Sequence, residues 1–148
     1  MRRIAGVLSV LLSLFVAAET ASAQDPGPPA SSGQAGGFEL QQNYPNPFNP
    51  ETTIPFVLEE ALFVDGRPAV VSIRIFNLLE QLIASPVALG HSSGAGVELI
   101  QLEYALPGTY EAFWDGTDQS GRQVASGIYF VQLTVNGIRD FMKISVLK

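Results

Sequence analysis

The sequence predicts an all-β protein, built as an antiparallel β-sandwich of about seven strands. Beyond residue 37, apolar residues recur at every second position over several short runs, which indicates half-buried strands rather than helices. Turn-forming residues separate these runs. Asn136-Gly137 lies between two of them and is typical of a two-residue hairpin, because both central positions of a type I′ turn need positive φ. Short strands with turn chemistry between them favour a sandwich.

The first 37 residues are predicted to lie outside this domain. Arg2 and Arg3, the apolar run 4–18 and the small residues 21–23 have the composition of a secretory signal peptide over residues 1–23. The apolar run is shorter than the ~20 residues that span a bilayer, so we expect cleavage after Ala23 rather than an uncleaved anchor. Residues 24–37 are rich in proline, glycine and serine, which predicts a flexible linker.

The domain itself is predicted to occupy residues 38–148. Four prolines between positions 43 and 56 restrict the backbone and predict an extended, stiff strap, which runs into a first strand that tolerates Pro55 by lying at a sheet edge. The predicted strands are 52–58, 70–77, 81–85, 97–103, 108–114, 127–135 and 138–147. At most one helical turn, at 59–62, is expected.

Composition excludes several classes of function. The formal net charge of −6 leaves no basic stripe to neutralise phosphates, so nucleic acid is not expected as a partner. The chain has no cysteine, which excludes disulfides, thiolate catalysis, cysteine-ligated metals and an N-terminal lipid on cysteine. His91, the single histidine, lies in a Gly/Ser-rich loop and is interpreted as a solvated loop residue rather than a catalytic base.

Asp115 and Asp118 are the carboxylates that lie close enough in sequence to share an ion. With Thr117 and a carbonyl they are a weak candidate calcium site, but the loop lacks a third acidic ligand. Aspartate also bonds to downstream amides in tight turns, and this turn interpretation is preferred. No cofactor is expected. Trp114 lies on the same face of its predicted strand as Tyr110. It is interpreted as a core anchor rather than an exposed aromatic surface that binds carbohydrate.

Five blocks of the sequence carry a family resemblance. They are residues 38–56, 73–79, 114–121, 124–130 and 142–148. In this order they resemble the immunoglobulin-like domain shared by flagellar hook-capping proteins and the C-terminal sorting domains of type IX secretion cargo. The residues taken as its recognition or structural motif are Asn43, Tyr44, Pro45, Asn46, Pro47, Phe48, Asn49, Pro50, Trp114, Asp115, Gly116, Gly127, Tyr129, Lys143 and Lys148.

The resemblance implies a non-enzymatic exported protein with an immunoglobulin-like fold. In type IX cargo such a domain ends the chain, as Lys148 does here, and is recognised by outer-membrane secretion machinery. The expected route leads through the inner membrane to the periplasm and then to the cell surface or exterior, with secretion machinery or surface proteins as partners and no membrane span after cleavage. Because only a signal peptide and linker are expected before the domain, a structural or assembly module, hook-cap-like or extracellular, and a remnant of larger cargo remain alternatives.

The chain departs from the family pattern in two places. Glu80 stands in a turn that usually carries glycine, where a positive φ costs a non-glycine residue ~1 kcal/mol, so this hairpin is expected to be looser or reshaped. Residues 86–107 are longer than the usual connection and Gly/Ser-rich in the middle, so a protruding loop is expected there.

Overall fold

Two antiparallel sheets packed face to face confirm the predicted β-sandwich. The computed structural model describes residues 36–148, so the predicted signal peptide and all but the last two residues of the linker lie outside the described residues. The strands are β1 (Phe38–Leu40), β2 (Thr52–Leu58), β3 (Ala69–Phe76), β4 (Leu82–Ala84), β5 (Val87–Leu89), β6 (Leu102–Tyr104), β7 (Gly108–Trp114), β8 (Gly127–Val135) and β9 (Ile138–Val146). A 3₁₀ turn at Glu60–Phe63 lies close to the helical turn expected at 59–62.

The strands divide into two sheets. Sheet A has the order β1-β2-β7-β5, and sheet B has the order β4-β3-β8-β9, with β6 also paired to β3. Every pairing between these strands is antiparallel. One end of the sandwich therefore gathers the start of β2, the end of β7, the start of β8 and the end of β9.

The core lies between the sheets and follows the alternation in the sequence. On β8, Tyr129, Val131, Leu133 and Val135 point inward and are at most 8% exposed, while the residues between them are half-buried on the outer face. Burying an aliphatic or aromatic side chain stabilises the fold by about 1.5–3 kcal/mol, so this strand alone makes a large contribution to the core. Across from it, β2 and β7 present their own inward residues.

One turn has the backbone conformation that the sequence predicts, and a second keeps the positive φ where a looser or reshaped hairpin was expected. Asn136 and Gly137 have φ values of 50° and 86° and join β8 to β9, as a type I′ hairpin requires. Glu80 has φ 59°, in the position where the family pattern has glycine. The Asn77 side-chain oxygen accepts hydrogen bonds from the amides of Leu79 (2.9 Å) and Gln81 (3.0 Å), and these bonds hold the turn in this conformation.

Several details of the predicted fold were wrong. The described residues contain nine strands, because the three-residue β1 and β5 were missed. The strand expected at 97–103 is divided into an isolated bridge between Glu98 and Val87 and the short strand β6. Residues 86–107 do not form one protruding loop, since they contain β5 and β6 and the fully buried Leu99.

The first long strand is not at an edge, because β2 lies between β1 and β7. Pro55 is tolerated there because the pairing with β1 ends beside it. Its carbonyl accepts a hydrogen bond from the Gln41 amide (3.0 Å), and the N–H that proline lacks would lie on the same side, beyond the end of β1. Within residues 36–148 no helix is long and apolar enough to cross a membrane.

Candidate functional site

The strap is a closed loop rather than an extended segment. Asn43 is 2% exposed, and its Nδ2 donates to Thr52 Oγ1 (2.9 Å). Next to this contact, Tyr44 and Thr53 exchange two main-chain hydrogen bonds of 2.9 Å. The ends of the segment therefore meet, and the residues between them form an Ω-type loop, which corrects the extended strap expected from the prolines. The Tyr44-Pro45, Asn46-Pro47 and Asn49-Pro50 peptide bonds are cis.

Phe48, at the far end of this loop, anchors it to the body of the domain. Its side chain is 1% exposed and its ring lies 5.3 Å from that of Trp114, in an edge-to-face arrangement. The Phe48 amide donates to the Ser145 carbonyl (3.1 Å), and the Leu147 amide donates to the Phe48 carbonyl (3.0 Å). The loop thus adds a parallel bridge to the end of β9 and closes the core at this end of the sandwich.

Trp114 is the centre of the aromatic cluster beneath the loop. It is 3% exposed, its Nε1 donates to the Thr117 carbonyl (2.9 Å), and its ring centroid lies 5.9 Å from that of Tyr129. The Tyr129 hydroxyl donates to the Ala125 carbonyl (2.9 Å). The interpretation of Trp114 as a core anchor is therefore confirmed, and its ring offers no exposed platform.

Gly116 and Pro50 mark the closest approach of the loop to the turn after β7. Gly116 has φ +75°, and a Cβ built on it would lie 2.1 Å from the Pro50 carbonyl oxygen. No real Cβ approaches an oxygen so closely, so the Pro50 backbone can occupy this position only because residue 116 has no side chain. The motif thus joins two segments 66 positions apart in the chain.

The remaining motif residues lie in three places. Gly127 has φ +153° at the start of β8, and the Lys148 amide donates to Ser126 Oγ (3.0 Å), so both lie at the same end of the sandwich. Lys143 does not join them, because it is exposed on the outer face of sheet B, opposite Phe130. On the loop itself the exposed residues are Tyr44, Pro45, Asn46, Pro47, Asn49 and Pro50.

Both candidate calcium ligands are occupied by the turns that contain them. Asp115 Oδ1 accepts from the amide (3.0 Å) and hydroxyl (2.6 Å) of Thr117. Asp118 Oδ1 accepts from the amides of Ser120 (2.8 Å) and Arg122 (3.1 Å), and Oδ2 forms an ion pair with the Arg122 guanidinium. The main-chain hydrogen bond from Arg122 is the largest of the effects that lower the pKa of Asp118. In the described part of the chain, no three His, Asp or Glu side chains are grouped to hold a metal, and calcium binding remains a prediction to test.

His91 is not freely solvated, contrary to the sequence interpretation. Its ring is half-buried and lies 4.7 Å from that of Tyr104. Nδ1 accepts from the Ser93 amide (3.1 Å), so the hydrogen is on Nε2, which donates to the Glu103 carbonyl (2.9 Å). Because both nitrogens are bound to main-chain groups, the ring fastens its loop to β6 and has no free nitrogen to act as a base.

One polar contact at this site was missed from the sequence. The Tyr44 hydroxyl donates to the Glu111 carboxylate, and this hydrogen bond raises the pKa of Tyr44. It ties the exposed start of the loop to the outer face of sheet A. The partners are 67 residues apart, so no local pattern indicated the contact.

Two solved structures from Porphyromonas gingivalis are similar to this chain. Dimeric latent PorU has 19% identity and a TM-score of 0.49, and the match covers 74% of this chain and 9% of that one. PorZ, described as an essential bacterial surface component of the type-IX secretion system, has 20% identity and a TM-score of 0.44, and the match covers 81% of this chain and 13% of that one. The chain thus spans about a tenth of the length of each. No family model matches the chain, and no curated protein matches it either.

Proposed function

We propose that this chain is a non-enzymatic exported protein whose domain acts as a type IX C-terminal sorting module, recognised by proteins of the outer membrane or cell surface. The proposal is supported by one observation above all. Three sequence blocks that carry the family resemblance, far apart in the chain, form one structural unit in which Phe48 packs on Trp114 and pairs with the end of β9.

This unit presents a defined surface for a partner. The exposed asparagine and proline side chains of the loop are held by the buried Asn43 at its neck and the buried Phe48 at its far end. Because the backbone is already fixed at both points, a partner that binds these side chains loses little conformational entropy. A rigid, polar, exposed loop supports recognition rather than catalysis.

The test is a fusion of residues 24–148 to the C-terminus of an exported reporter, in a cell with type IX secretion. We expect the reporter to reach the cell surface or medium. Two variants separate recognition from folding. Replacement of the exposed pair, Asn46→Ala with Asn49→Ala, should block sorting and leave the melting temperature of the purified domain nearly unchanged. Deletion of residues 141–148 should abolish both sorting and folding. An intact fusion that stays periplasmic while native cargo is secreted would refute sorting.

A structural or assembly role is the second candidate, and the position of β9 at the edge of its sheet favours it. Strand β9 is an edge of sheet B, and an edge strand is a surface on which another chain can pair. Neighbouring genes distinguish the candidates, because secretion genes or cargo with the same tail support sorting and flagellar genes support a hook-cap role. Purified protein that assembles into filaments would favour an extracellular subunit.

A further inference from the structure

The outer face of sheet B has an unusual distribution of charge. Along β9, the outward residues are Arg139, Phe141 and Lys143, so a cation, an aromatic ring and a cation follow one another at every second position. The net charge of the whole chain is −6, yet none of its 14 acidic residues occupies an outward position on β3, β8 or β9. The carboxylates on this face lie on the side away from β9, with the exposed Glu103 on β6 and Glu80 in the turn after β3. The β9 side of the face is therefore basic, and a complementary partner on that side carries negative charge.

Apolar surface accompanies the charge. Lys143 is opposite Phe130, which is in turn opposite Phe76 on β3, and both rings are half-buried. Phe141 is 57% exposed beside them, and Arg74 is exposed on β3. Apart from Lys143, these side chains line one shallow groove, in which Glu80 is the acidic residue. A partner that fits it combines carboxylates with an apolar side chain.

The main chain of β9 favours a peptide as the partner. The Ser145 carbonyl and Leu147 amide point away from β8, because both bond to Phe48, and by alternation the main-chain groups of Lys143 point the same way. No hydrogen bond joins the Lys143 amide or carbonyl to any neighbour on that side in residues 36–148. The Phe141 amide is covered by its neighbour Asp140, whose Oδ1 accepts from it at 2.9 Å.

We propose that an extended, acidic segment of a partner protein pairs with the main chain of β9 at Lys143 and lies alongside residues 139–143. A strand added to this edge places every second side chain beside the outward residues of β9. The segment therefore carries acidic, apolar and acidic side chains at alternate positions, opposite Arg139, Phe141 and Lys143. An anionic oligosaccharide would bind to the cations of this face, but it would not form strand-type hydrogen bonds with the Lys143 main chain. The proposal does not depend on the sorting function.

The experiment uses the purified full mature chain and a fluorescein-labelled peptide with the sequence Thr-Glu-Thr-Phe-Thr-Glu-Thr. We expect saturable binding by fluorescence anisotropy, and slower hydrogen exchange at the Lys143 amide when the peptide is bound. Lys143→Glu should weaken binding about tenfold, because it places like charges together. The matched control is Arg67→Glu, the same charge change at an exposed ion pair with Asp65, and it should change affinity less than about twofold.

Four outcomes would overturn the proposal. The first is a lack of saturable binding, and the second is equal binding of a peptide with lysine in place of both glutamates. The third is binding without protection of the Lys143 amide. The fourth is a labelled oligogalacturonate that binds in a Lys143-dependent manner while the peptide does not, which would assign this face to carbohydrate.

Discussion

Substitution of Gly116 by alanine tests how tightly the strap loop is held against the turn after β7. The added Cβ would lie 2.1 Å from the Pro50 carbonyl oxygen, a backbone atom that cannot rotate away. Two costs follow. Alanine at φ +75° loses ~1–2 kcal/mol for the left-handed backbone, and displacing the packed Pro50 backbone adds ~1–3 kcal/mol.

Gly121 supplies a matched control, because it lies in the same connection between β7 and β8 and shares the first cost only. Its φ is +74°, and a Cβ there would meet no atom within 4 Å. We therefore expect Gly121→Ala to destabilise the domain by ~1–2 kcal/mol and Gly116→Ala by ~2–5 kcal/mol. The difference between them measures the contact with Pro50.

The assay is urea unfolding of the purified protein, followed by the fluorescence of Trp114, the single tryptophan, which lies beneath the loop. In a domain of this size each kcal/mol shifts the melting temperature by roughly 4 °C, so a thermal scan should show the same order. Equal destabilisation by the two alanines would show that the loop does not press on Gly116, and the account of a rigid recognition loop would fail.

Three further predictions concern other parts of the domain. Phe48→Ala should destabilise it by ~3–5 kcal/mol in urea unfolding, because a fully buried ring leaves a cavity; a loss below ~1 kcal/mol would mean that Phe48 is not an anchor. Calcium should not change the melting temperature of the parent or of the variant in which asparagine replaces both Asp115 and Asp118, because the two carboxylates are bound within their turns. A calcium-dependent rise in the parent that disappears in the variant would favour the metal site. Burial raises the pKa of Tyr104 from 10.0 to about 12, so the folded state holds this proton more tightly and stability should fall between pH 10 and 12. Tyr104→Phe, which also removes a buried hydroxyl without a partner among the described residues, should lessen this alkaline loss, and an unchanged loss would point to another group.

Local features of the fold could be predicted from the sequence because their causes are local. The Asn136-Gly137 hairpin follows from the positive φ that two adjacent residues accept, and the inward positions of β8 follow from strict alternation. The shape of the strap could not be predicted. Prolines restrict each backbone position, but the loop closes through contacts of Asn43 with Thr52 and of Phe48 with Ser145, and no sequence pattern relates those pairs.

The outer face of sheet B was missed for a similar reason. Its pattern of basic and aromatic residues is assembled from three strands, each of which contributes between one and three of them, and no single segment shows the whole pattern. Lys143 was included in the motif through the family resemblance, whereas Phe130 and Phe141 were not predicted to contribute to a binding surface. The register that brings them together is a property of the hairpin, not of either strand alone.

The bond between Phe48 and the end of β9 has a consequence for the order of folding. Residue 48 finds its main-chain partners about a hundred positions later, at Ser145 and Leu147, and β8 lacks its edge partner until β9 is present. Contacts so distant in sequence slow folding, because the intervening chain must be ordered before they form. Until residues 138–147 are available, the loop has no strand to pair with and the aromatic cluster is open on one side. Completion of the domain therefore waits for its final strand, and a chain passing through a narrow export channel from its N-terminus would stay unfolded until that strand emerges.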